Sequence, residues 1–357
     1  MKKHLFAVAA AAALATPAMA QSTSASSVTL YGIADIALIS VSNKDGSRLN
    51  ALDSGILQSS RFGFRGNEDL GGGLSALFVL ESGFNLDTGA SSSAASFFNR
   101  QSFIGLSSQS MGTLALGRQY GPIYDQLIGL SGAPAFGVQA GAIDGIANGK
   151  SSAARFENTI GSTRFDNSVK YTSPTMSGFK ASAMVGLGEV AGSTSSGQTL
   201  SAGVGYNQGP VNLGLGYLTT KCKATTGCAA TEDDNKVIGL GGGYDFGVAK
   251  LSAIYTSQKN GKNVRGNDAD VLSLIAQMPL GAWTLAAGYQ TLNDKTKLDQ
   301  NIKQVNLGAL YSLSKRTTAY ALYSTQKVDN GGKASMALYT SSNDKQNIIG
   351  LGIRHTF

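Results

Sequence analysis

The chain ends on a strict alternation. Ile349, Leu351, Ile353, His355 and Phe357 interleave with Gly350, Gly352, Arg354 and Thr356, giving one apolar face and one small or polar face. A period of two residues is that of a β-strand, whose side chains point to opposite faces in turn. The same period recurs near the start, where Val28, Leu30, Ala34, Ile36 and Leu38 share one face and Thr29, Tyr31 and Asp35 the other. It fills the middle as well. Trp283, Leu285, Ala287 and Tyr289 stand opposite Thr284, Ala286, Gly288 and Gln290; Val305, Leu307, Ala309 and Tyr311 stand opposite Gln304, Asn306 and Gly308; Phe165, Val169 and Tyr171 stand opposite Arg164, Asp166, Ser168 and Lys170. Aromatics at the ends of such runs, Trp283 and Tyr289 among them, fit the girdles of a membrane barrel. A soluble sandwich would bury the same residues in its core.

Sixteen candidate strands can be marked, starting near residues 28, 55, 73, 99, 112, 164, 179, 199, 211, 236, 249, 270, 283, 303, 317 and 347. Their connections alternate in length. Asn67–Gly72, Gln109–Met111, Ser173–Gly178, Gln208–Pro210, Phe246–Val248 and Met278–Ala282 are short; Val41–Ser54, Asn85–Phe98, Gln119–Thr163, Thr219–Asn235 and Lys327–Gln346 are long. Short turns at one end and long loops at the other, with an even strand count, predict an all-β, 16-stranded antiparallel transmembrane barrel. Charged residues make up only 14% of the chain, against about 25% in ordinary soluble domains. Such a ring leaves an aqueous channel, whereas eight strands leave room only for side chains. The lumen faces carry Gly, Ser, Thr, Asn and Gln, which predicts a wet interior.

Residues 1–20 read as a secretory leader, cleaved before Gln21. Lys2 and Lys3 precede the apolar run Leu5–Leu14, and Ala18-Met19-Ala20 is a small-residue cleavage site. Residues 21–357 then form one domain, with no linker dividing it. The charge-free tract Leu127–Ile143 is no spanning helix, because it holds Ser131, Pro134, Gln139 and four glycines. Export admits oxidised thiols, so Cys222 and Cys228 are expected to staple a long external loop through a disulfide. Metal binding there is disfavoured by the lack of a nearby His.

Several segments taken together resemble the general porins of Gram-negative bacteria, nearest the β-proteobacterial branch. They are Ser27-Val28-Thr29-Leu30-Tyr31-Gly32, the run from Ser60-Arg61-Phe62-Gly63-Phe64-Arg65-Gly66 to Leu74, Arg100-Gln101-Ser102-Phe103-Ile104-Gly105-Leu106, Leu116-Gly117-Arg118-Gln119-Tyr120-Gly121, Asn167-Ser168-Val169-Lys170-Tyr171 and Gly352–Phe357. The resemblance covers the whole mature chain. It implies a homotrimer in the outer membrane, among lipid and lipopolysaccharide, with a water-filled pore in each protomer for small hydrophilic solutes and anions. It implies an inward-folded third loop, here Gln119–Thr163, and a terminal Phe357 that serves as signature for the barrel-assembly machinery. No cofactor is implied.

Selectivity in such a channel follows pore width and charge at the narrow zone. Phe62 and Phe64 are expected to face lipid, so Arg61 and Arg65 face the lumen; Arg164 and Lys170 face inward opposite Phe165, Val169 and Tyr171. The parity of Arg100 is ambiguous, since Ile104 and Leu106 share its face. The porin resemblance places basic wall residues at Arg61, Arg100 and Arg164, and Arg118 joins this basic set. In the opposing loop Ala135 follows Pro134 where enterobacterial porins carry Glu, and Gln119–Gly149 offers only Asp125 and Asp144 as carboxylates. A basic wall kept while the acidic wall thins predicts anion selectivity. The bland alternative is that Asp166, Glu81, Asp35 or Glu68 neutralise the arginines. Tyr120 and Tyr124 flank Gly121-Pro122 and are expected to pack the loop against the wall.

Other classes fit less well. Past the leader the one His, His355, sits in an alternating strand with no nucleophile or metal ligands beside it, so an enzyme is not expected. Gly71-Gly72-Gly73 reads as a turn, since no Gly-Lys-Ser/Thr follows. Basic residues are dispersed rather than clustered in a run, which disfavours nucleic acid. An anion- or phosphate-specific porin and a surface adhesin or receptor barrel are the remaining alternatives.

Overall fold

A strand in lipid must satisfy every backbone N–H and C=O within the protein, since no water is available. This chain meets that demand by pairing each strand with its neighbours until the ring closes. The computed structural model describes residues 26–132, 164–223, 228–336 and 339–357. The expected leader, 1–20, and most of the third long connection, 133–163, lie outside these residues.

The strands in chain order are β1 (Ser27–Lys44), β2 (Ser47–Ser54), β3 (Arg61–Gly71), β4 (Leu74–Gly83), β5 (Gln101–Ser108), β6 (Gly112–Tyr120), β7 (Arg164–Thr172), β8 (Phe179–Gly186), β9 (Thr199–Gln208), β10 (Val211–Thr220), β11 (Asn235–Asp245), β12 (Lys250–Lys259), β13 (Ala269–Leu280), β14 (Trp283–Asp294), β15 (Ile302–Ser312), β16 (Thr317–Val328), the hairpin β17 (Ser335–Met336) and β18 (Tyr339–Thr340), and β19 (Lys345–Thr356). A short helix, α1 (Pro122–Leu127), and a 3₁₀ turn at Ile128–Leu130 follow β6. Neighbours pair antiparallel throughout, and β1 closes the ring on β19, with Ile36 opposite Ile353. Both β2 and β3 pair with β1, so together they fill one position and the barrel has sixteen. The small hairpin of β17 and β18 stands apart from the ring.

Two sequence expectations change here. Val41–Ser54 is no open loop: β1 and β2 continue the sheet outward as a hairpin, turning at Asp45-Gly46, both with positive φ. Asp-Gly between alternating runs is a strong two-residue hairpin signal. The second strand is also interrupted, because Gly55–Ser60 leaves the sheet between β2 and β3.

The two faces of the wall differ as the alternation requires. Leu30, Leu38, Ile104, Leu116, Leu213, Leu240, Leu272, Leu307 and Leu351 are all exposed on the outside. A soluble protein rarely leaves so extended an apolar surface bare, whereas lipid covers it. Aromatic pairs mark the short-turn ends: Trp283 with Tyr311 at 4.8 Å, Phe179 with Tyr206 at 4.7 Å, and Tyr244 with Phe246 at 4.6 Å. The Gly71-Gly72-Gly73 turn has positive φ at all three residues, a conformation that only glycine adopts freely.

Candidate pore constriction

The inner wall of β3 to β7 gathers the basic residues. Arg61 and Arg65 lie opposite Ile33 and Thr29, on the face of Tyr31, which is the lumen face. Glu81 of β4 accepts from Tyr31 Oη at 3.1 Å and from Arg100 Nε at 2.7 Å. Arg100 Nη2 donates to Tyr120 Oη at 3.1 Å, and Arg164 Nη2 donates to the same hydroxyl. The Arg164 guanidinium also sits 4.4 Å from the Tyr120 ring centroid, in cation–π range. Tyr124 stacks on the other side of that ring, with centroids 4.1 Å apart and planes 9° apart. Arg61 Nε donates to the Ser59 carbonyl at 3.0 Å, and its charge acts on Arg100, Glu81, Tyr120 and Tyr124. Arg100 and Arg164 therefore meet on the Tyr120 hydroxyl with Glu81 beside Arg100, and Arg61 acts on the same groups through its charge. Arg65 lies further along β3, 5.5 Å from the Tyr31 ring centroid.

The other sequence-predicted residues divide. Lys170 Nζ donates to the Tyr120 carbonyl and to Asp125 Oδ2, both at 2.9 Å, and so ties α1 to the wall. Burial pushes the Asp125 carboxyl above the usual range, while Lys170 and Lys180 pull it back. Lys180 shares the inward face with Ser182 and Met184, and its parity would have revealed it as a lumen cation. Arg118 is a correction. It falls on the outward face with Leu114 and Leu116, donates to the Asn99 carbonyl at 2.8 Å, and pairs with exposed Asp166 at 2.6 Å. Phe165 is another. An irregularity between β6 and β7, with Asn167 at φ 51°, breaks the alternation and packs Phe165 against the inner cluster around α1 rather than in lipid. Asp144, Pro134 and Ala135 lie outside the described residues.

The first turns of the third connection lie on the inner wall, and the reason is a cradle of glycines. Gly214 of β10 stands opposite Gly205 and Gly241, and Gly216 opposite Gly203 and Gly239. A Cβ on Gly216 would sit 2.7 Å from Ile123 Cα, and one on Gly214 2.5 Å from the Gln126 carbonyl oxygen. On Gly239 and Gly241 it would meet Leu127 Cδ1 and Leu130 Cδ1 at 2.6 and 2.8 Å. Ile123, Leu127 and Leu130 thus bury against Leu218, Val237 and Ile254, and Ser252 Oγ donates to the Leu130 carbonyl at 2.8 Å.

The facing sector departs from the expected wet lining. Ala37, Ile39, Val41, Leu310, Leu322 and Ile348 present an apolar inner surface, and Ile56 and Leu57 of the Gly55–Ser60 excursion bury into it. Asp35 anchors that excursion. Its Oδ1 accepts from Tyr320 Oη at 2.9 Å and from the Leu57 amide at 3.3 Å, while Arg354 Nη1 donates to Gln58 Oε1 at 3.2 Å. Beside it runs an amide row, with Gln290, Gln304, Gln326 and Gln346 opposite one another on successive strands. Gln326 Nε2 donates to Gln304 Oε1 at 2.8 Å. The oxygens of Gln326 and Gln346 accept from the Ser335 and Met336 amides at 2.7 and 2.8 Å, fastening the last loop. Elsewhere, Cys222 and Cys228 are joined in a disulfide, with Cα atoms 5.8 Å apart. His355 Nδ1 is 2.9 Å from Thr317 Oγ1.

A closed ring with an apolar outside, a polar and basic inside and segments resting on the inner wall defines an outer-membrane channel protein. The Gram-negative porin family model matches residues 7–331, and the chain belongs to that family. Outer membrane porin protein 32 of Delftia acidovorans is 33% identical over 370 residues, spanning all of both chains. The major outer membrane protein P.IB of Neisseria gonorrhoeae is 28% identical over 370 residues, spanning 96% of this chain and 98% of its own. The solved anion-selective porin from Comamonas acidovorans matches with a TM-score of 0.77 at 29% identity, over 93% of this chain and all of its own.

Proposed function

We propose that the protein is an anion-leaning diffusion porin, exported by its N-terminal leader and assembled as a homotrimer in the outer membrane. The observation that carries this reading is the joining of Arg100 and Arg164 through the Tyr120 hydroxyl, with the charge of Arg61 acting on the same groups and Glu81 as the carboxylate bound to Arg100. Fixed cations at the narrow part of a low-dielectric passage raise the local concentration of anions. Arg65, Lys170 and Lys180 extend the basic lining, whereas Arg118 is spent on Asp166. In this reading the third loop, with Asp125 and Asp144 as its carboxylates, completes the constriction. The name of the Comamonas porin supports the same sign of selectivity.

Planar-bilayer recording under a KCl gradient tests it. Conductance steps in triplets with a reversal potential favouring chloride are expected. Arg61→Glu combined with Arg164→Glu should move that potential toward potassium. Unchanged selectivity in the double variant would remove the arginines from the mechanism, and a potassium preference in the wild type would reverse the assignment.

A further inference from the structure

Tyr120 stands between two arginines on one row of the wall. Arg164 is its partner across β6 and β7. Ser102 pairs with Arg118, so the register of β5 and β6 carried two residues further puts Arg100 on its other side. Two strand spacings set the arginine backbones about 10 Å apart, and each side chain is long enough to turn away from the other. Both instead reach one neutral oxygen, since Arg100 Nη2 and Arg164 Nη2 donate to Tyr120 Oη. Two donors use up the acceptor capacity of a hydroxyl.

The surroundings fix this arrangement and leave it open to the lumen. The Tyr120 ring is held on both faces, by the Arg164 guanidinium 4.4 Å from its centroid and by Tyr124 at 4.1 Å. Glu81 grips Arg100 by Nε at 2.7 Å, which leaves the Nη2 edge on the hydroxyl. Arg100, Tyr120 and Arg164 are all partly exposed. Two converging guanidiniums are the donor set of an oxyanion site, and an anion adds a charge attraction that a hydroxyl lacks. Lys170 shows the contrasting case, because the Asp125 carboxylate that holds it at 2.9 Å is itself charged.

We propose that the Tyr120 hydroxyl is a built-in surrogate for the permeating anion, an inference that rests on the anion-leaning reading above. The hydroxyl occupies the donor pair of Arg100 and Arg164 between passages, yields it to an arriving oxyanion, and takes it back as the anion leaves. Conduction needs a site that attracts an ion and still releases it. A donor pair with no neutral acceptor between its members would hold a divalent oxyanion too long. With the hydroxyl in place, each N–H given up by the departing ion has an acceptor beside it, so release does not strand a desolvated charge in the wall.

Tyr120→Phe isolates the oxygen, because the ring, its stack on Tyr124 and its contact with Arg164 all remain. Single-channel conductance in KCl is followed against added sulfate for the wild type and Y120F. The control Y171F removes a hydroxyl that donates to the Met111 carbonyl on the outward face, and should match the wild type. Without the competing oxygen, Y120F should be blocked at about tenfold lower sulfate, the weight of roughly one hydrogen bond to a charged group. Its reversal potential should keep favouring chloride, since no charge has changed. Sulfate should also raise the unfolding temperature of Y120F more than that of the wild type, a readout that needs no open channel. Equal block and an equal thermal shift would make the hydroxyl a bystander and overturn the proposal. Weaker block in Y120F would overturn it too, by making the hydroxyl only a brace for the arginines. A wild type that prefers potassium overturns the anion reading and the surrogate with it, whereas a chloride-preferring wild type whose block is unmoved by Y120F overturns the surrogate alone.

Discussion

Two sectors of one inner wall hold their inserts by opposite means. The glycine cradle of β9 to β11 receives α1 by shape: side chains are missing where the helix backbone arrives, and Ile123, Leu127 and Leu130 fill the space. The sector of β13 to β19 and β1 receives its inserts by chemistry. Gln326 and Gln346 hold the last loop through its amides, and Asp35, Tyr320 and Arg354 hold Gly55–Ser60. Shape tolerates no added atom, while a hydrogen-bonded row tolerates changes of volume better than the loss of a partner.

The largest effect should follow from breaking the first sector. Gly216→Leu places a side chain where Ile123 Cα lies, so α1 must lift from the wall. Overpacking of this kind costs about 1–3 kcal/mol, and single-channel conductance should change clearly while the barrel still folds. Gln326→Ala addresses the second sector. It strips the Ser335 amide of its acceptor and removes one of the hydrogen bonds to Gln304, with an expected loss of about 1–3 kcal/mol, read as a lower unfolding temperature, and conductance should change less than in Gly216→Leu. If the two variants behave alike, the contrast between shape and chemistry fails.

A smaller effect comes from pH. Burial raises the Asp125 carboxyl, so it takes up a proton at a pH above the usual carboxylate range. Folding raises this group, so acidification through that value relieves the burial cost and favours the folded state. It also removes a negative charge from the lumen, so chloride preference should rise as pH falls. Asp125→Asn should show the higher preference already at neutral pH and lose the pH step; a step that persists in this variant would assign it to another group. The smallest effect is expected from reducing Cys222–Cys228. The staple closes only its own loop, and the reversal potential should stay where it is.

Much of the ring was legible because alternation needs no knowledge of partners. Strands expected near 164, 179, 199, 211, 283 and 317 begin there. The inserts were not legible, because they depend on register. Gly203 and Gly205, Gly214 and Gly216, and Gly239 and Gly241 are three separate pairs in the sequence, and only strand pairing turns them into one smooth patch. Parity misled where the backbone broke step, as at Asn167 for Phe165. It holds for outward Arg118, which lies in step with Leu114 and Leu116, and for inward Lys180, in step with Ser182 and Met184. The basic trio was legible in part: Arg61 followed from Phe62 and Phe64, but the Tyr120 hydroxyl that joins Arg100 to Arg164 is a product of the fold alone.

One detail at the seam bears on how such a ring comes into being. Gly32 and Phe357 exchange both backbone hydrogen bonds, at 3.0 and 3.1 Å, and a Cβ on Gly32 would lie 2.2 Å from the Phe357 ring. Every other joint in the ring links strands that follow one another in the chain, but this one links the first strand to β19. Such long-range pairing is slow, since the entropy of closure is lost before the contacts form. The ring therefore keeps an open edge until β19 finds β1, so this one pairing shuts the wall.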